Sequence, residues 1–391
     1  MTIKNFIYIA NVRLPTEKAH GIQIMQMLSA LVSNASPDAR TRLVIPRRVN
    51  KITQSPFEYY GSRSDFQIKK LPCLDLMFLP AFKSCWFWIE SVSFAFFATI
   101  YFLFERGAVF YTRDALIAAV FFLLGKVVFY EIHDLPDRAS FLHKLAWEGS
   151  RGLVAISDGL RKGLMERGID EKKIIVARDA VDVGKFDIRE SQSECRKKLA
   201  LPLDKKIILY SGHLYTWKGA DVLLQAARAF PFIKRSEILF VFVGGTDEDV
   251  ARFRGSVAGL PHILIAGHRP HQEIPFWLKA ADILVMPNSA KEDISRLYTS
   301  PMKLFEYMAA GRPIIVSDTP SLREVLNENN AWLVRPDDPD AIVNCILDIL
   351  DDLNKADVRA KRAQAEAREY TWDKRVIHIL SFVEDLIKHG A

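Results

Sequence analysis

Short apolar runs alternate with longer stretches of helical period through the first half of the chain. FIYIA (6–10), RLVI (42–45), AVFYT (108–112), VVFYEI (127–132), LVAI (153–156) and KIIVA (173–177) read as strands. Between them, 21–32, 115–124 and 159–167 repeat apolar residues at helical spacing. That alternation predicts βαβ units and a parallel sheet. A polar, charged stretch over 182–202 interrupts the pattern, which then restarts with KIILYSG (206–212), ILFVFVGG (238–245), HILIAG (262–267), DILVMP (282–287), PIIVSD (313–318) and AWLV (331–334). The chain therefore predicts two doubly wound, Rossmann-like α/β domains, over 1–188 and 189–371. Their C-terminal strand edges are expected to face a central cleft, where such sheets bind ligands. Residues 372–391 predict a last amphipathic helix, which stays on the second domain or crosses back to the first.

One apolar stretch tests this picture. Residues 86–104, WFWIESVSFAFFATIYFLF, are apolar at 15 of 19 positions, close to the roughly 20 residues of a spanning helix. It lies between two strands of one predicted sheet, and Glu90, Ser91, Ser93 and Thr99 interrupt it. A buried crossover helix is the first expectation and a helix resting on a membrane surface the second.

A length of 391 residues fits two cores rather than one. Cys73, Cys85, Cys195 and Cys345 are scattered, without CxxC or metal spacing, which suits a reducing cytoplasm. The N-terminal MTIKNFIYIANVRLP reads as a first strand rather than a signal peptide. Net charge is +6 overall, but residues 1–185 carry 25 Lys/Arg against 18 Asp/Glu. The basic excess therefore lies in the N-terminal half, and it suits anionic lipid, a phosphorylated acceptor or simply a solvated surface. No clustered stripe or module points to nucleic acid.

Four segments carry candidate chemistry. In SPMKLFEYMAAGRPIIVSD (300–318), Ser300 suits an N-cap and Pro301 the first helical position, with Gly311 closing the helix. The helix start formed by Ser300, Pro301, Met302 and Lys303 leaves backbone N–H groups free, Pro301 itself having none, and these suit a diphosphate. Glu306, one turn on, suits a ribose diol. A capped surface helix with a Lys303–Glu306 pair accounts for the same residues. In YSGHLYTWKGADVLLQA (210–226), Gly212 lets a ligand approach the backbone, and Lys218 and His213 offer donors to a pyrophosphate. FYEIHDLPDR (129–138) delivers Glu131, His133 and Asp134 at a strand's C-terminal end, where His133 suits a sugar hydroxyl, although a structural His–Asp pair is commoner. NVRLPTEKAHGIQIMQML (11–28) places Arg13, Lys18 and His20 in a loop suited to a phosphate or an acceptor. Neither GxGxxG nor GxxxxGK[ST] occurs, so a nicotinamide site and a P-loop are not supported. Asp247 and Asp249 form a DxD, but at a predicted helix start, where acids are favoured. His262, His268 and His271 lack the spacing of a zinc site.

In order and spacing these segments resemble the family 4 retaining glycosyltransferases of GT-B fold over nearly the whole chain. The resemblance rests on EIHD, VDVGKF (181–186), GHLYTWKG, VFVGG, PFWLKAADILVMP, and the 300–318 segment followed by SLREVL. It implies transfer of a hexose from a nucleoside-diphosphate sugar to a carbohydrate or lipid-linked acceptor, without a metal. It further implies that Lys218 binds the diphosphate and assists its departure, that Glu306 binds the ribose, and that His133 lies near the transferred sugar. The 300–303 helix start would hold phosphate, Gly21 would line the phosphate side of the first domain, and the base would pack near Gly244, His268 and Arg269. The family usually has Arg where His213 stands and Asn-Gly where Asp179-Ala180 stands, and Tyr298 occupies the place of its first paired glutamate. The reading implied is a cytoplasmic enzyme of surface polysaccharide or glycolipid synthesis, peripheral on the inner face of the membrane. The alternatives are an epimerase or disaccharide synthase of the same fold, or an inactive partner that binds sugar nucleotide or lipid.

Overall fold

The structure, a computed structural model, describes residues 3–36, 38–62, 66–76, 82–257 and 259–389. The chain forms two compact units, Met1–Arg178 with Trp372–Ala391, and Asp179–Thr371.

The first unit holds seven parallel strands: β1 (Asn5–Ile9), β2 (Arg40–Pro46), β3 (Gln67–Leu71), β4 (Val109–Thr112), β5 (Val127–Ile132), β6 (Gly152–Ala155) and β7 (Ile174–Val176). Their order is β3-β2-β1-β4-β5-β6-β7. The second unit holds β8 (Lys206–Ser211), β9 (Ile238–Val243), β10 (Ile263–Gly267), β11 (Ile283–Met286), β12 (Ile314–Ser317) and β13 (Trp332–Val334), in the order β10-β9-β8-β11-β12-β13. Both orders reverse direction beside the unit's first strand, which is the Rossmann switch point. The central strands are buried on both faces, as continuous apolar runs such as ILFVFV require. β3 is the strand that the apolar pattern does not reveal. It is an edge strand reading QIKKL, half solvated and rich in lysine, as exposed edges commonly are.

Two expectations need correction. The polar stretch after residue 182 is no linker: Val181, Phe186 and Cys195 are buried in the second unit's core. The boundary therefore falls at Arg178, ahead of it. The apolar stretch forms the helix Lys83–Phe102, but it is not a buried crossover. Glu90, Phe94, Ala98 and Phe102 pack inward, whereas Trp88, Val92, Phe96 and Ile100 are exposed.

The last helix, Trp372–His389, belongs to the first unit. It buries Trp372, Arg375, Val376, Ile379 and Val383, the i, i+3, i+4, i+7 stripe of an amphipathic helix. It packs along the helix Ala19–Asn34, and Phe382 meets Phe129 edge-on at 6.2 Å. The Arg151 guanidinium donates to the Leu386 carbonyl at 2.7 Å.

Candidate functional site

The second unit's candidate site is built where β8 and β11 part. Past Ser211 the backbone turns at Gly212 (φ 127°), and past β9 at Gly244 (φ 113°). A Cβ on Gly244 would lie 2.4 Å from the Gly212 carbonyl oxygen, so only glycine lets the two turns cross. A short 3₁₀ turn, Thr216–Lys218, then carries Lys218. Gly219 (φ 72°) closes it so tightly that an added Cβ would fall 1.6 Å from the Pro287 carbonyl oxygen at the end of β11. The Ser289 N–H bonds the Trp217 carbonyl at 3.0 Å, and the Ser295 hydroxyl donates to the same carbonyl at 3.0 Å. The Lys218 turn is thus clamped to the neighbouring strand's exit.

Lys218 lies 5.1 Å from the Trp217 ring centre and 5.5 Å from that of Tyr215. Burial among these groups lowers its ammonium to about 8. His213 stacks on Tyr215, the rings 2° from parallel and 5.0 Å apart.

The helix Met302–Ala310 supplies the facing groups. All nine of its residues are buried, which removes the surface-helix alternative. Its start also differs from expectation. Pro301 holds the cap position, and Ser300 makes no cap: the Ser300 hydroxyl instead accepts from the Asp179 N–H at 3.1 Å. The helix starts one residue later than expected, at Met302, so Ser300 stands ahead of the cap position rather than on it. The Leu304 N–H bonds the Pro301 carbonyl at 2.9 Å. Gly311 (φ 63°) ends the helix in the left-handed conformation.

Lys303, at the second position, is 8% exposed. Its ammonium sits 4.3 Å above the Tyr210 ring centre and has no hydrogen-bond partner among the described residues. Burial pushes it well below the usual lysine range, Lys218 pushes it further, and Glu306 partly opposes them. Two lysine side chains thus share a desolvated site, each held below its usual range, and the nearby carboxylate, Glu306, already has a partner. His271 Nε2 lies 2.8 Å from Glu306 Oε1. A carboxylate only accepts, so Nε2 carries the proton. His271 was not legible as a functional residue. It lies on a short turn, His271–Glu273, past β10, and its partner stands 35 positions on. His268 and Arg269 are exposed just after β10, with Arg269 5.6 Å from the Trp277 ring centre. Tyr298 ends the turn Ile294–Tyr298 ahead of Ser300 and is half-buried.

Of the decoys, Thr246 caps Asp247–Ser256 in a capping box with Asp249, so the DxD starts a helix. His262 is buried, its Nε2 donating to the Ala227 carbonyl at 2.9 Å. No cluster of three metal-ligating side chains occurs among the described residues.

The first unit holds a separate polar core at the end of β5. Glu131 is fully buried and accepts from Gln23 Nε2 at 2.6 Å, from the Tyr111 hydroxyl, from Arg375 at 3.0 Å and from His133 Nε2 at 2.6 Å. His133 therefore pairs with Glu131 rather than with Asp134, whose Oδ1 accepts from the Leu135 N–H. Burial opposes the Glu131 charge, but Arg375 and His133 outweigh it and hold the carboxyl well below its usual range. Burial and Arg113 lower His133 to about 4. Its imidazole is thus neutral at pH 7, with the proton on Nε2 and Nδ1 left as an acceptor. Arg113 in turn donates to Gln23 Oε1 at 2.7 Å.

The loop ahead of Gly21 is tied to Tyr60. A Cβ on Gly21 would lie 2.1 Å from the Tyr60 hydroxyl oxygen. That hydroxyl accepts from the Thr16 N–H at 2.7 Å and donates to the Thr16 carbonyl at 2.8 Å. Arg13 pairs with Glu17 at 3.3 Å on the surface. Lys18 is exposed and His20 half-buried.

The fold belongs to one class: two Rossmann-like α/β units, the architecture of GT-B glycosyltransferases. Residues 191–366 match the family described as Glycosyl transferases group 1, a span that includes Gly212, Lys218, His271, Lys303 and Glu306. A D-inositol 3-phosphate glycosyltransferase of Xylanimonas cellulosilytica is 27% identical over 253 residues, 59% of this chain and 58% of that protein. The chain spans about half the length of the curated relatives it matches. Among solved structures, Anabaena HepE in complex with UDP superposes with a TM-score of 0.75 at 14% identity, covering 97% of this chain and 100% of that one. Sucrose-phosphate synthase from Thermosynechococcus elongatus superposes at 0.76 with 19% identity, covering 98% and 99%. At these identities the likeness is one of fold.

Proposed function

We propose that the protein is a retaining glycosyltransferase that moves a sugar from a nucleoside-diphosphate donor to a carbohydrate or lipid-linked acceptor, in surface polysaccharide or glycolipid synthesis. The observation that carries this reading is the Lys218–Lys303 pair beside Glu306. Two desolvated lysines, with Glu306 the one carboxylate acting on Lys303, become charged most readily when an anion with two phosphoryl groups binds them, and Glu306, held by His271, suits the ribose diol. Support comes from the family match over 191–366 and from the HepE structures, which hold UDP and UDP-glucose.

In the reaction, negative charge grows on the departing diphosphate while the sugar becomes oxocarbenium-like. Lys218 donates to the leaving oxygens, and Lys303 neutralises the charge that remains, so the two ammonium groups fill the role of a divalent cation. Neutral His133 offers Nδ1 to a sugar hydroxyl. Four free thiols suit a cytoplasmic enzyme.

A thermal-shift screen against UDP-, GDP- and ADP-sugars tests the reading. A donor at a hundredfold excess over its dissociation constant stabilises the native state by about 2.7 kcal/mol. Absence of any shift rejects it. A second reading, an inactive partner that binds the donor without turnover, is favoured by Tyr298 in place of a carboxylate and by the stacked His213. A thermal shift without product or free diphosphate after long incubation selects it.

A further inference from the structure

The helix Lys83–Phe102 carries two stripes of opposite character. Glu90, Phe94, Ala98 and Phe102 follow at four-residue steps and are buried, each 0% exposed. Trp88, Val92, Phe96 and Ile100 follow at the same steps, two positions out of phase and therefore on the opposite side. All four are more than half exposed. Tyr101 and Phe104 extend the exposed side at its C-terminal end. Over Ser84–Phe102 the mean hydropathy is 1.4, yet a third of the stretch is buried. The helix is thus fixed to its unit along one side and apolar along the other. A soluble monomer rarely leaves a contiguous patch of this kind open.

The charges around the patch decide what covers it. Between residues 83 and 104 the sole carboxylate is Glu90, and it lies on the buried stripe. Cations stand at the rim. The Lys69 ammonium lies 5.3 Å from the Tyr101 ring centre. Lys126 donates to the Leu103 and Glu105 carbonyls at 2.9 and 2.7 Å, and Arg106 is exposed just past Phe104. None of the three is ion-paired to a described residue. A second copy of this patch would set like charges against like, and a neutral partner would leave the cations unused. An anionic bilayer meets both features: Trp and Tyr favour the headgroup level, aliphatic and Phe side chains the acyl boundary, and Lys and Arg the lipid phosphates.

We propose that this face docks the first unit on anionic membrane, with Trp88, Phe96 and Ile100 at the acyl boundary and Lys69, Arg106 and Lys126 on lipid phosphates. The helix lies in the interface plane and does not cross it, because its other side is the unit's own core.

The experiment is flotation of the full chain with phosphatidylcholine vesicles, with and without phosphatidylglycerol, at low and at raised salt. Binding is expected only with phosphatidylglycerol and is expected to weaken as salt rises. Phe96→Glu with Ile100→Glu abolishes it, and Lys69→Gln and Arg106→Gln each weaken it about fivefold. Circular dichroism and an unchanged thermal shift with donor establish that these variants are folded and that the second unit's site is intact. Three results overturn the proposal. The first is no flotation of wild type at low salt. The second is undiminished flotation of the folded Phe96→Glu, Ile100→Glu variant. The third is a dimer by sedimentation velocity that the same variant dissolves, which assigns the face to self-association.

Discussion

Arg375, on the last helix, and Glu131, at the end of β5, form an ion pair at 3.0 Å with side chains 2% and 0% exposed. Arg375 also donates to the Arg178 carbonyl at 2.9 Å. The pair ties the chain's last helix to the carboxylate that orients His133. Removing one partner of a buried pair leaves the other charge uncompensated, at about 3–5 kcal/mol. Arg375→Met is therefore expected to lower the first thermal transition sharply. Arg375→Met with Glu131→Gln recovers much of the loss, because no lone charge remains. An Arg375→Met protein as stable as wild type contradicts the assigned pairing.

The same network sets a pH dependence. His133 is lowered to about 4 by burial and Arg113, whereas an unfolded imidazole titrates near 6.5. Below that unfolded value the unfolded chain binds a proton that the folded one refuses, so stability falls with pH from about 6.5 towards 4. Glu131, whose folded value is depressed, adds a loss at lower pH. Nitrogen chemical shifts of His133 should report a neutral ring with Nε2 protonated at pH 6. An imidazolium there rejects the assignment.

Donor binding has the opposite sign. An anion on Lys218 raises its pKa from about 8, so affinity is full below that value and declines as pH rises through it. Nucleoside diphosphate affinity should fall about tenfold between pH 7 and 9 from Lys218 alone. Calorimetry at constant ionic strength measures it. A flat profile shows that the anion does not meet this ammonium.

Glu306 and His271 make a claim about the ribose. Charge-assisted hydrogen bonds contribute about 1.5–3 kcal/mol, so Glu306→Ala should weaken a ribonucleoside diphosphate about tenfold to a hundredfold. His271→Ala, which frees the carboxylate to swing, should cost less. With a 2′-deoxynucleoside diphosphate most of the Glu306→Ala effect should vanish. An equal loss with both ligands places Glu306 elsewhere.

Gly219→Ala tests the clamp on the Lys218 turn. The added methyl would overlap the Pro287 carbonyl at 1.6 Å, and φ is 72°, strained for any side chain, at about 1–3 kcal/mol for the backbone alone. The variant should melt earlier and bind nucleoside diphosphate more weakly, since the turn must shift. Unchanged affinity decouples the turn from the site.

The long apolar strands, their parallel order and the closing Gly311 were legible because each follows from local composition. β3 was not, since an edge strand of QIKKL lacks the apolar run. Lys218 and Glu306 were readable as residue types on the right elements, but the burial of Lys303 beside them depends on which faces of Met302–Ala310 are covered, and all of them are. Glu131 with Arg375, and His271 with Glu306, join residues distant in sequence, so no spacing rule reaches them. The serine expected to cap the helix was claimed by Asp179, a competition visible only after folding.

The central claim is that Lys218 and Lys303 hold a diphosphate together. Isothermal titration calorimetry with UDP, GDP and ADP in turn, on wild type, Lys218→Ala, Lys303→Ala and the double variant, tests it most directly. The account predicts binding of one of them to wild type, a loss of tenfold or more in each single variant, and a double variant less impaired than the product of the two. Wild type that binds none of them, or single variants that bind as wild type does, would contradict it.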